Sequence, residues 1–272
     1  VLPGTKLNLY GNNKLIKEYK LGDDYVFRGF TGSGNIRADV VFAGYGISIP
    51  EYDDYKNVDV NGKIVLVFKY NPKWKIEGIN WPSSLPREKA RVAVEHGAVG
   101  IMFVSFPNDE NPQKPIGSTM HGSGEQVDIP QVHIDLPVAN DFFMGSKYTL
   151  KEMQTRIDES KITHSLKLHK EAEIFVKTNY VKDKETVNVI GLYPGSDEKL
   201  QDEFVILGAH LDHVGGQGGE IYFPGANDNA SGVAMLFELA KYFKENPLDY
   251  NVMFIAFAGE EAGLVGSKYY VE

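Results

Sequence analysis

Phe204-Val-Ile-Leu-Gly-Ala-His-Leu-Asp-His213 and, further on, Val252-Met-Phe-Ile-Ala-Phe-Ala-Gly-Glu-Glu261 carry the reading of the fold. Each is a short apolar run that reaches glycine and then polar side chains. Runs of this length, too short for a helix of their own, read as buried strands. Between them, Ala230 to Lys244 sets Val233, Leu236, Phe237, Ala240 and Phe243 at helical spacing, and Pro247 stops the pattern. Val187 to Tyr193 is a third short strand. Strand, helix, strand is a βαβ pattern, so this part of the chain is predicted to be α/β: a mixed, mainly parallel sheet with flanking helices.

Upstream the rhythm differs. Asp39 to Ile47 is a β-rich run interrupted by glycines, and Val58 to Phe68 carries Asn61-Gly62 as a turn before a buried strand. Pro86 to Glu95 reads as a helix, with proline at its start and Gly97 past its end, and Ala90, Val94 and the stem of Arg91 inward. Val99 to Val104 is another buried strand, and Ile129 to Ile134 an edge strand limited by Pro130. Leu150 to Ile157 reads as a second helix. Ile162 to Lys184, polar and alternating, reads as a surface strand leading into a new unit. The expected organisation is a lead-in over 1–32, a β-rich α+β domain over 33–180 and a second domain over 181–272.

Composition narrows the chemistry. The 272 residues are enough for two ordinary domains, and the net charge of −9 argues against nucleic acid or an anionic membrane as the main partner. No apolar run has the roughly 18 residues that a membrane span needs. Cysteine is absent, which excludes thiolate ligands, disulfides and cysteine nucleophiles; any metal must be held by His, Asp and Glu.

Open parallel sheets place their sites at the carboxyl ends of strands, and both such ends here carry unusual residues. His210 and Asp212 read as a metal ligand and its outer-shell partner, or as polar residues of a loop. Asp228, in Gly225-Ala-Asn-Asp-Asn-Ala-Ser-Gly232, reads as a bridging ligand or as part of a helix N-cap cluster. Glu260 and Glu261 repel one another unless a cation sits nearby; one can coordinate while the other acts as general base, or both simply open a helix. His96, His121 and His133 have no ligand-like neighbours in the sequence and read as structural or surface residues.

Gly208-Ala-His-Leu-Asp212, Gly225 to Gly232 and Ala256-Phe-Ala-Gly-Glu-Glu-Ala-Gly-Leu-Val-Gly-Ser267 together resemble the motifs of the di-zinc aminopeptidase family, of the leucine aminopeptidase, aminopeptidase Y and glutamate carboxypeptidase II type. The resemblance implies a zinc exopeptidase (phosphorylase/hydrolase-like) fold and two zinc ions. His210 would bind one, Asp228 bridge both and Glu261 bind the other, with Glu260 as general base and Asp212 supporting His210. It also implies a cis peptide at Asp228-Asn229. The region from Asp39 to Ile134 resembles the protease-associated domain that such enzymes carry inserted, which shapes access and is not catalytic.

The implied activity is hydrolysis at the N-terminus of peptides by a metal-activated water. A carboxypeptidase or dipeptidase on the same scaffold, or a non-catalytic receptor-like homologue, are the alternatives. The family pattern continues with one Asp and one His ligand beyond Glu272, so the chain is expected to be a fragment with little activity alone. Its expected setting is extracytoplasmic, periplasmic or secreted.

Overall fold

The apolar runs near 64–68 and 99–104 lie side by side in one sheet of the computed structural model, which describes residues 1–117, 128–181, 183–219 and 221–272. The chain divides into two units. One comprises the described residues of Val1–Met120, Glu125–Asn179 and Gln217–Ile221; the other contains Tyr180–Gly216 and Tyr222–Glu272.

The first unit runs through β1 (Lys6–Gly11), β2 (Lys14–Glu18), β3 (Tyr25–Phe27), β4 (Gly34–Ala43), the two-residue strands β5 (Ser48–Ile49) and β6 (Tyr52–Asp53), and β7 (Ile64–Phe68). It continues with α1 (Pro86–Glu95), β8 (Gly100–Val104), β9 (Gln131–Ile134), α2 (Leu136–Phe143), α3 (Leu150–Ser160) and β10 (Ser165–Val176). Eight of these strands form a sheet in the order β2-β1-β10-β4-β7-β8-β9-β3. Its centre, β4 to β9, is parallel, and β1, β2, β3 and β10 pair antiparallel. The first thirty-two residues thus supply three strands of this sheet.

Both faces of the parallel centre are covered. Phe42, Leu66, Phe68, Met102 and Val104 pack with Phe142 of α2 and Leu150, Met153 and Ile157 of α3. Val41, Val65, Val67, Ile101 and Phe103 pack on the other side with Ala90 and Ala93 of α1. Two-sided burial explains why these strands are continuously apolar and do not alternate.

Several expectations need correction. Residues 131–134 form an inner strand, between β8 and β3. Pro130 lies just before it and only its carbonyl is used, accepting from Ile101 N at 2.9 Å, so its missing N–H breaks no ladder bond. Strand β10 is also internal, between β1 and β4. It looks like a surface strand because Leu168, Ala172, Ile174 and Val176 are buried while Glu171 pairs with Arg37 at 2.6 Å. In α1 the buried face is Lys89, Ala90 and Ala93, and Val94 is exposed.

The second unit contributes β11 (Val189–Tyr193) and β12 (Phe204–His210). Next in the chain, with Gln217 and Ile221 counted in the first unit, is a two-stranded ribbon of β13 (Gly215–Gln217) and β14 (Ile221–Phe223). Then come α4 (Ser231–Glu245), β15 (Asn251–Phe257) and α5 (Val265–Val271). The sheet order is β11-β15-β12. Strands β12 and β15 are parallel, joined through α4, while β11 is antiparallel to β15, so the sheet is mixed. Val233, Leu236, Leu239, Ala240 and Phe243 form the half-buried stripe of α4, and Phe237 is exposed. Phe237 lies about 100° round the helix from Leu236, at the margin of that stripe.

Candidate metal centre

The parallel pairing of β12 with β15 aligns His210 with Phe257, so both strands release their chains at the same edge. Leu211 N donates to Phe257 O at 2.7 Å, holding the two exits together. Gly259 turns the second exit at φ +71°, a conformation that side chains with a Cβ disfavour. The loop then carries Glu260 and Glu261, and α5 starts at Val265.

The third group comes from the turn before α4. Residues Ala226–Ala230 form one wide π-type turn, with Asp228 and Asn229 in non-helical conformations and a cis bond between them. The cis peptide implied by the resemblance is therefore present. Asn229 Oδ1 accepts from Gly232 N at 3.0 Å, and Ser231 Oγ donates to Asn227 O at 2.9 Å. Asn229 thus satisfies an amide at the start of α4, and the Asp228 carboxylate takes no part in these bonds.

His210 sits between two acceptors. Its Nδ1 lies 2.9 Å from the main-chain carbonyl of Asp212, and its Nε2 lies 2.9 Å from Asp228 Oδ1. A neutral imidazole has one N–H and cannot serve both. The arrangement calls for a second positive entity on Nε2, a proton or a cation. Burial opposes charge on the ring, but the Asp212 carbonyl and the carboxylates of Glu260 and Asp228 outweigh it and raise the pKa.

Asp212 meets His210 through its main chain. Its carbonyl, not its carboxylate, faces His210. The carboxylate instead accepts from Gly259 N at 2.6 Å and reaches Glu260 N at 3.5 Å, pinning the acidic loop to the end of β12.

Glu261 meets a residue absent from the sequence-derived set. His213 Nδ1 is 2.7 Å from Glu261 Oε1, and His213, Asp228 and Glu261 each offer a ligand atom within 4.8 Å of the others. The structure therefore brings His210 onto Asp228, and Asp228 towards Glu261, with His213 completing the group. The spacing His-x-x-His at a strand end was the available signal, eclipsed by His-x-Asp within it. Imidazole and carboxylate donors in this number suit zinc, which takes N and O ligands at about 2.0–2.2 Å.

The other histidines are elsewhere. His96 stacks on Tyr55 with ring centroids 4.3 Å apart. His133 is buried, its Nδ1 accepting from Ile116 N at 3.2 Å. His121 lies outside the described residues.

Both regions of the chain are similar to known proteins. Residues 188–272 match the model of peptidase family M28, and residues 36–142 match that of the PA domain. The chain is 27% identical to aminopeptidase YwaD of Bacillus subtilis over 256 residues, covering 92% of this chain and 44% of that protein. It is 30% identical to the probable lipoprotein aminopeptidase LpqL of Mycobacterium tuberculosis over 220 residues, covering 80% of this chain and 34% of that protein. Among solved structures it resembles BSAP, a zinc aminopeptidase from Bacillus subtilis, with a TM-score of 0.54 and 25% identity, over 99% of this chain and 52% of that one. The chain thus spans about half or less of the length of these relatives.

Proposed function

We propose that this chain, which belongs to peptidase family M28 through residues 188–272 and carries a PA domain over residues 36–142, forms part of a zinc-dependent exopeptidase that hydrolyses peptide bonds at the N-terminus of its substrates. The observation that carries the reading is the meeting of His210, Asp228 and Glu261 at the adjacent carboxyl ends of β12 and β15, with Glu260 beside them. The names of the relatives support the aminopeptidase direction and zinc as the metal.

His210, Asp228 and Glu261 would hold the zinc, with Asp228 shared between two ions. Bound there, zinc polarises the scissile carbonyl and brings the pKa of water towards neutrality. Glu260 takes the proton from the attacking water and passes it to the leaving amine. Asp212 keeps Glu260 in place through the Gly259 and Glu260 amides. The PA domain would take no part in the chemistry.

In the complete enzyme, Glu260→Gln should lower turnover by about two to four orders of magnitude, the usual worth of a positioned general base, and leave zinc content nearly unchanged. Full activity in that variant ends the base assignment. Hydrolysis of an aminoacyl-anilide, compared with an N-blocked peptide, tests the end preference: faster cleavage of the blocked peptide would favour a carboxypeptidase or dipeptidase.

A further inference from the structure

The structure assigns a small-oxyanion site to the first unit, formed by Arg28 and Lys69 at the carboxyl ends of three parallel strands. Lys69 directly follows β7, Ser105 directly follows β8, and His133 lies next to the last residue of β9. These strands are neighbours and run parallel. Lys69 N donates to Val104 O at 2.8 Å, which holds two of the exits together. Open parallel sheets receive ligands at this edge. Lys69, Ser105 and His133 are buried there, and Arg28 reaches in from the residue after β3.

Two positive groups meet here without a negative one. His133 Nδ1 accepts from Ile116 N at 3.2 Å, so the neutral ring carries its proton on Nε2, 3.3 Å from Ser105 Oγ. Ser105 Oγ in turn donates to Gln113 O at 2.7 Å. That chain of bonds is satisfied and brings no charge. Lys69 Nζ donates to Gln113 Oε1, and Arg28 Nη1 donates to Ile116 O at 2.8 Å; both acceptors are uncharged. Among the described residues neither cation makes an ion pair. Burial, with Arg28 adding to it, brings the Lys69 pKa down to about 8, and no carboxylate raises it. A charge withdrawn from water is ordinarily paired.

The unused donors define the ligand. Arg28 Nε is buried and has no hydrogen-bond partner, and the Lys69 ammonium has protons to spare beyond the one given to Gln113. Gln113 Oε1 also accepts from the Tyr70 hydroxyl at 2.9 Å. A side-chain amide oxygen therefore stands where Lys69 and Tyr70 both donate, the place of one oxygen of an anion. A planar guanidinium beside an ammonium suits a carboxylate or a phosphate, each of which presents two or more oxygens. Such an anion replaces the Gln113 side chain on Lys69 and Tyr70 and offers a further oxygen to Arg28 Nε.

The test titrates the wild-type chain with sodium phosphate or sodium acetate, at an ionic strength held constant with sodium chloride, and follows backbone amide proton–nitrogen shifts. Saturable shifts at Lys69, Ser105 and His133 are expected, and the tighter of the two anions separates a phosphoryl from a carboxylate ligand. Arg28→Met and Lys69→Met should each weaken binding roughly 10–100-fold, the worth of a hydrogen bond to a charged group. Arg37→Met should leave it unchanged. No saturable shift with either anion, or affinities in both methionine variants equal to wild type, overturns the proposal. Gln113→Glu tests it without an added ligand: a carboxylate built in at that place should raise the urea midpoint and abolish binding of both anions. A midpoint below wild type with anion binding retained overturns the assignment, even if the methionine variants fail to fold.

Discussion

Replacing Asp212 with asparagine isolates the latch between the two strand exits. The carboxylate accepts from Gly259 N at 2.6 Å and lies 3.5 Å from Glu260 N. Hydrogen bonds to a charged group are worth about 1.5–3 kcal/mol net and neutral ones about 0.5–1.5 kcal/mol. Asparagine has one carbonyl oxygen in place of two carboxylate oxygens, and its NH2 would face an amide N–H. The loop should therefore lose about 1–2 kcal/mol of local stability, equivalent to a 5–30-fold rise in its open population. Hydrogen exchange reads this directly: the Gly259 amide should exchange 5–30-fold faster in Asp212→Asn, while amides in the middle of β15, such as Phe254, keep their rates. If Gly259 exchanges as in wild type, or if Phe254 speeds up equally, the latch is not local and the reasoning fails. Zinc content separates the roles further, since the Asp212 carboxylate holds the Glu260 loop while the His210 ring is met by the Asp212 carbonyl, which asparagine keeps. A loss of zinc as severe as in His210→Ala would contradict it.

Two further predictions concern the first unit. The Lys89 ammonium is fully buried and donates to the carbonyls of Tyr45, Phe68 and Tyr70 at 2.8, 3.0 and 2.9 Å. Lys89→Met leaves these buried carbonyls without their donor and should destabilise the unit by at least about 1–3 kcal/mol, the cost of an unsatisfied buried polar group, and a urea midpoint equal to wild type would refute this. Burial, reinforced by Lys69 and Arg28, pushes the pKa of His133 down to about 3. A depressed pKa contributes stability that is complete above the unfolded value near 6.5 and is lost as pH falls through the folded value. Stability should thus decline from about pH 6.5 towards pH 3 in wild type and decline less in His133→Gln, measured by urea midpoints. A steeper decline in the variant would reverse the sign and refute the assignment.

The legible parts of the fold were those where burial leaves a one-dimensional trace. Ile64–Phe68 and Gly100–Val104 are apolar throughout because helices cover both faces, and the turn before α4 was marked by Gly225 and the asparagines around Asp228. What escaped depends on neighbours. Lys6–Gly11 becomes a strand by pairing with β10, whose partner residues lie far along the chain. Helix α2 is eight residues long, with Asp135 as cap and Pro137 in its first turn, too short to show a period. The site divides similarly. His210, Asp228 and Glu261 stand in dense polar motifs, whereas the place of His213 follows from the space left beside Gly225 and the approach of Glu261. The role of Asp212 hinges on which of its oxygens turns towards His210, a matter of loop geometry.

Strands β1 and β10 lie side by side, with Lys6 opposite Phe175, and Leu2 N still donates to Lys177 O at 2.8 Å. Two segments far apart in the sequence are therefore held at the roughly 5 Å spacing of paired strands. Closing so long a loop costs more chain entropy than closing the local turn between β1 and β2, so the β1–β10 ladder should form after that hairpin.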